Sequence, residues 1–207
     1  YTNNHLMNIA ANKAVTISSF DQTFNQNGGT LDIDGALNLY YMAVNYNGGT
    51  ILGTPTLINS SLSIAPTAAN PASFLIGGGN NNLIGNINGG QLVTVEGNST
   101  GSHAKLTSAN GFVNSGTLTM QSSNGGYSST LDVTTGDLTN AATGTININV
   151  GAGGDRTVRA SLTNNGTVNI NTNTSFSKTS GAYTNNHLMN IAANKAVTIS
   201  SFDQTFN

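Results

Sequence analysis

Carboxylates close together in the chain are the first candidates for chemistry, and there are few of them. Asp32 and Asp34 in LDIDG form the tightest pair. Two acids spaced by two on a strand share a face, where they suit calcium binding or acid–base work. The positions expected above and below Asp32 hold Leu52 and Asn-type residues, so a turn or solvated role is the expectation. Asp132, Asp137 and Asp155, with Arg156 and Arg159, make a second charged region. Its GAGGDRTVR run reads as an anion-binding loop or, more plainly, as a solvated bulge. His5, His187 and His103 show no HxxxH or HxH spacing for a metal, and no GxSxG offers a nucleophile. They are expected at turns or on the surface. Sequons at Asn59, Asn98, Asn165 and Asn173 occur as often as chance allows in so Asn-rich a chain. Tyr40, Tyr41, Tyr46 and Tyr127 would form a sugar-stacking surface if they project outward. The plainer expectation is that Tyr40 or Tyr41 caps a core. These residues imply no catalytic group, cofactor or metal site, and the chain is expected not to be an enzyme.

The bulk composition sets the frame for those residues. Charged residues are 7%, with 6 basic against 8 acidic. Such a balance carries no electrostatic footprint for nucleic acid. No apolar run approaches the roughly 18 residues of a membrane span. There is no Cys, which excludes disulfides and thiolate metal sites. Asn alone accounts for 33 residues, a bias that in other chains signals disorder. Here hydrophobic residues reach 37% and alternate with polar ones, as in GTLDI, GTLTM, GTINI and GTVNI. Alternation of this kind is a strand signal, and no segment shows a capped helical period.

Two repeats are superposed. The 25 residues YTNNHLMNIAANKAVTISSFDQTFN at 1–25 recur letter for letter at 183–207. Residues 1–182 thus read as one full repeat and 183–207 as the start of an identical next one. Inside it runs a shorter motif, Asn-x-Gly-Thr-φ-x-φ with φ apolar. It appears as NGGTLDI, NGGTILG, NPASFLI, NGGQLVT, NSGTLTM, ATGTINI, NNGTVNI and NNHLMNI. Indexed on its fourth position, the motif falls at residues 6, 30, 50, 73, 91, 117, 145, 167 and 188. The 182 residues therefore divide into eight units of 18–28 residues.

That length suits one coil of a parallel β-helix, an all-β solenoid, with right-handed winding from the usual chirality of parallel crossovers. Leucine-rich repeats share the length but not the Leu spacing. Coils stack at about 4.8 Å, so equivalent residues lie above one another. The inward core stack is expected to be Leu31, Ile51, Phe74, Leu92, Leu118, Ile146, Val168 and Met189. A second inward column would be Ile33, Ile76, Met120, Ile148, Ile170 and Ile191. Asp32, Leu52, Leu75, Val93, Thr119, Asn147, Asn169 and Asn190 would point out. A structural Asn ladder is expected at Asn3, Asn27, Asn47, Asn70, Asn88, Asn114, Asn164 and Asn185, interrupted at Ala142. Asn tolerates turn backbone and bonds local amides, and stacked amides bond each other. The following Gly would supply positive φ. Second strands are expected in ALNLY, AKLTSA, STLDV, RTVRASL and AVTISSF, and the PTAANPASFLIGGGNNN segment reads as a wide loop or irregular coil.

LTNNGTVNI, FVNSGTLTM and NGGTLDIDGAL resemble the repeats of filamentous-haemagglutinin-type secreted proteins and of autotransporter passenger domains. The resemblance spans nearly the whole chain. It implies a right-handed parallel β-helix carried to the cell surface as a fibre, stalk or adhesin. The chain departs from that pattern in its variable coil length and its 182-residue duplication. Three functions follow as expectations. The first is a structural extracellular fibre, filament, stalk or matrix of tandem repeats, whose partner is its own continuation. The second is an adhesin holding a surface glycan, and the third a polysaccharide-active enzyme. No nucleic-acid partner and no membrane insertion are expected.

Overall fold

The structure, a computed structural model, describes residues 1–200, 205 and 206. The described residues contain strands and turns and no helix. Every ladder between strands is parallel, and the chain winds as a β-solenoid of about nine turns. This agrees with eight coils per 182 residues plus the start of a ninth. Part of the second copy of the duplicated segment, residues 201–204 and 207, lies outside the described residues, including the end of its AVTISSF strand.

Among the described residues the strands form three sheets: one of 13 strands, one of 9 and one of 3. The alternating sequence decides which side chains enter. Thr30–Ile33 alternates half-buried and buried, and so do Ala36–Tyr40, Ala43–Tyr46 and Thr145–Ile148. Register then puts like on like. Phe74 pairs Val93, which pairs Leu118, followed by Ile146, Val168 and Met189. Beside them run Ile76, Val95, Met120, Ile148, Ile170 and Ile191. All but the last-coil residues Met189 and Ile191 are buried. Met7, Leu31 and Ile51 make the corresponding inward column on the short sheet.

Two expectations are corrected. Leu92 is not in the core stack: Leu92 pairs Thr117, and Val93, expected to point out, is fully buried. Ile87 bridges Asn114 and Leu92 pairs Thr117, so the Asn88–Gln91 turn holds four residues where the next coil holds two; the motif is left one position out of step, and a shift of one exchanges the two faces of a strand. The second strands divide between two sheets. Ala14–Ser18 and Ala36–Tyr40 lie in the 9-stranded sheet, whereas Ala104–Ser108, Ser129–Asn140 and Arg156–Asn164 lie in the 13-stranded one. The exchange occurs where the motif strand Ala72–Gly77 docks its C-terminal half on Thr56–Ile58. Finally, the expected wide loop shrinks to a turn near Pro66, because Ala72–Gly77 and Asn81–Ile84 are both regular strands.

The motif glycine has two different causes. Gly29 and Gly49 do have positive φ, 60° and 80°. Gly166 is needed for closeness instead: a Cβ there would sit 2.2 Å from the Ala141 carbonyl oxygen of the coil below.

Candidate functional site

The most developed constellation is the asparagine ladder. Asn114 Nδ2 donates to Asn140 Oδ1 at 2.8 Å, Asn140 to Asn164 at 2.8 Å, and Asn164 to Asn185 at 2.7 Å. Asn114, Asn140 and Asn164 are fully buried. Each also donates to a backbone carbonyl one coil on: Thr145, Thr167 and Leu188, at 3.0–3.1 Å. Asn3 repeats the pattern at the first coil, donating to Gln26 Oε1 at 2.8 Å and to the Thr30 carbonyl at 3.1 Å. The side chain thus staples the turn of the next coil while passing a hydrogen bond along the column. Buried amides require this satisfaction, since an unmet polar group in the interior is costly.

The ladder differs from its sequence prediction in membership. Asn3, Asn114, Asn164 and Asn185 belong to it. Asn27 and Asn47 do not: they are exposed and bond each other at 2.7 Å on the outside of the turn. Their place in the interior column is taken by Gln26 and Tyr46, paired in register with Asn3 and with each other. Asn70 is exposed and donates to the Gly49 carbonyl, and Asn88 donates to the Ala65 and Ala68 carbonyls. The expected interruption at Ala142 is absent, because Asn140 fills the column from two residues earlier. The signal was present in the repeated tripeptide LTN at 138–140 and 162–164.

Further amide ladders run on the outer surface. Asn190 donates to Asn169 and Asn169 to Asn147, each at 2.9 Å; Asn171 donates to Asn149, Asn186 to Asn165 and Asn45 to Asn25. In these the donor belongs to the later coil. In the interior ladder the donor belongs to the earlier coil, where the carbonyl of the next turn fixes the amide's direction.

The candidate chemical groups are dispersed. Asp32 accepts a hydrogen bond from Asn8 Nδ2 at 2.9 Å, and Asp34 is exposed. Arg156 is neither a free anion-binding group nor part of a solvated bulge. It is 1% exposed, and its guanidinium donates to the carbonyls of Asn149, Val150 and Asp155 at 2.7–3.0 Å, closing the GAGG loop onto the strand. Burial lowers its pKa, partly offset by the Asp155 charge. Asp132 lies opposite Arg159 in register. His103 Nδ1 accepts from the Ser128 amide at 3.0 Å, and the ring stands edge-on to Tyr127. His187 is exposed beside the Gly166 carbonyl. Glu96, overlooked in the sequence, accepts from Gln121 and Ser123. Among the described residues no three His, Cys, Asp or Glu gather as a metal site.

The tyrosines divide. Tyr46 is the core residue, fully buried, donating through its hydroxyl toward the Gly49 and Asn70 carbonyls. Tyr40 and Tyr41, either of which was expected to cap the core, face outward, and Tyr41 stacks on the exposed ring of Phe20 with centroids 4.8 Å apart.

Among the described residues no helix is long and apolar enough to cross a membrane. No protein-family model matches the chain, and no curated protein or solved structure matches it.

Proposed function

We propose that this chain is a segment of an extracellular or cell-surface fibre built from tandem 182-residue β-solenoid repeats, serving as filament, stalk or matrix. The observation that carries the proposal is the behaviour of the duplicated coil. Its first copy is covered on the following side: Asn3 donates to Gln26, and Leu6–Ile9 pairs Thr30–Ile33. Its second copy is covered on the preceding side: Asn185 accepts from Asn164, and Leu188–Ile191 pairs Thr167–Ile170. One coil sequence therefore carries both stacking faces, as a continuing array requires. Stability in such an array sums over coils and their interfaces, with no need of cofactor or disulfide. The right-handed winding expected of parallel crossovers and the surface location belong to the same proposal.

Axial diffraction or cryo-electron microscopy of the native material tests it. Eight coils at about 4.8 Å give a long axial repeat of ~38 Å beside the strand spacing. Long unbranched filaments with both spacings are expected; short discrete particles without the long repeat would overturn the fibre. A second reading, an adhesin for surface glycans, is favoured by the exposed Phe20–Tyr41 pair.

A further inference from the structure

One corner of the solenoid carries the wrong kind of residue for its backbone. Register pairs Ser18 with Tyr40, Tyr40 with Ile58 and Ile58 with Gly77. The next positions, Ser19, Tyr41, Asn59 and Gly78, therefore stack at the same turn. Three of them are left-handed: Tyr41 at φ 56°, Asn59 at 51° and Gly78 at 83°. Gly and Asn are the residues such a corner favours, and a bulky aromatic there is an outlier. Strained backbone persists where the surroundings hold it, and it clusters at binding sites.

The strain at Tyr41 presents a ring at the surface. Tyr41 stacks on Phe20 at an interplanar angle of 25°, and Phe20 is 80% exposed. The pair forms one wall of a surface groove of about 330 Å³, continued by Asn59, Ser61, Asn80 and Asn82. No lining residue is charged. The amides are only partly engaged. Asn59 Oδ1 accepts from the Asn80 backbone amide at 3.1 Å, and Asn82 donates a long bond of 3.3 Å to Ser61 Oγ. Remaining donors and acceptors face solvent beside the aromatic wall.

We infer that this groove binds a neutral glycan, with a pyranose ring against the Phe20–Tyr41 wall and its hydroxyls on Asn59, Asn80 and Asn82. An aromatic face with adjacent amides matches the two chemistries of a sugar, its apolar C–H face and its hydroxyl rim. The lack of lining charge selects a neutral glycan over an acidic one. The wall and the amides come from successive coils, about 4.8 Å apart, so a glycan lying along the solenoid axis meets one coil after another. The site deepens the glycan-binding reading and does not depend on the fibre.

Saturation-transfer NMR and calorimetric titration of the whole chain with cellohexaose, chitohexaose, mannohexaose and polygalacturonate test the proposal. At least one neutral hexasaccharide binds with a Kd of about 1 mM or tighter, its ring C–H protons taking saturation from the aromatic side chains. Phe20→Ala and Tyr41→Asn each weaken binding by about tenfold or more. Tyr41→Asn keeps or raises the unfolding midpoint, because Asn suits the left-handed corner. This separates loss of binding from loss of fold. Failure of all three neutral probes to bind, preference for polygalacturonate, or binding that survives both substitutions overturns the site.

Discussion

Asn114 and Ile87 meet at the foot of the interior ladder. They form an isolated parallel bridge between neighbouring coils, and Ile87 offers Asn114 Oδ1 no donor. That oxygen is buried without a hydrogen-bond partner, while Asn114 Nδ2 starts the ladder that continues through Asn140 and Asn164 to Asn185. The run from Asn114 to Asn185 thus starts against an apolar coil that cannot join it, and it is separate from the Asn3–Gln26 link at the first coil. From there on its stability depends on every link.

Asn140→Ala breaks the ladder in its middle. Asn114 Nδ2 then loses its Asn140 acceptor, Asn164 Oδ1 loses its Asn140 donor, and a small buried void forms. A buried polar group deprived of its partner costs about 1–3 kcal/mol. Loss of about 2–4 kcal/mol is expected from urea unfolding. Asn171→Ala, which removes an exposed surface link, is expected to stay within about 0.5 kcal/mol.

The motif glycine is tested by a matched pair. Gly166→Ala places a Cβ 2.2 Å from the Ala141 carbonyl oxygen, against backbone that cannot yield. Destabilisation of about 3 kcal/mol or more is expected. Gly79→Ala adds a methyl with nothing within 4 Å and no positive φ, so it is expected to be neutral or to stabilise by about 0.4–1 kcal/mol. Thermal melts of the two variants check both signs.

Leu92 and Val93 test the register at the Gly89-Gly90 turn. Val93→Ala removes fully buried methyl groups from the core column and is expected to cost about 1–3 kcal/mol. Leu92→Ala trims a half-buried outward side chain and is expected to cost less than about 1 kcal/mol. The reverse order in denaturant midpoints would move the register by one.

Alkali is expected to weaken the fold through two phenols. Burial raises the pKa of Tyr46 and that of Tyr183, whose buried hydroxyl has no hydrogen-bond partner among the described residues. The folded chain therefore holds these protons to higher pH than the unfolded chain, whose tyrosines titrate near about 10. Their contribution is complete below that pH and is lost as pH rises toward the folded-state values. Each adds at most about 1.4 kcal/mol per pH unit to the slope. Denaturant midpoints measured from pH 9 upward should fall, and Tyr46→Phe should make the fall shallower.

The architecture and most of the core are legible in the residue pattern. Alternation set which side chains of a strand such as Thr167–Ile170 face inward. The recurring motif set the coil length and the stacking of Leu118, Ile146 and Val168. These features are local, since parity along a strand and spacing between turns need no knowledge of neighbours. Which amides are interior depends on how the coils pack. Asn27 matches the motif and lies outside, whereas Gln26 and Asn140 miss it and lie inside. A turn absorbs or supplies a residue without altering the strand pattern on either side, so register across it is settled by packing against the coil below. The same holds for the Phe20–Tyr41 wall and the buried Arg156. Stacking of successive coils brings Phe20 to Tyr41, and the fold of the preceding loop brings its carbonyls to Arg156.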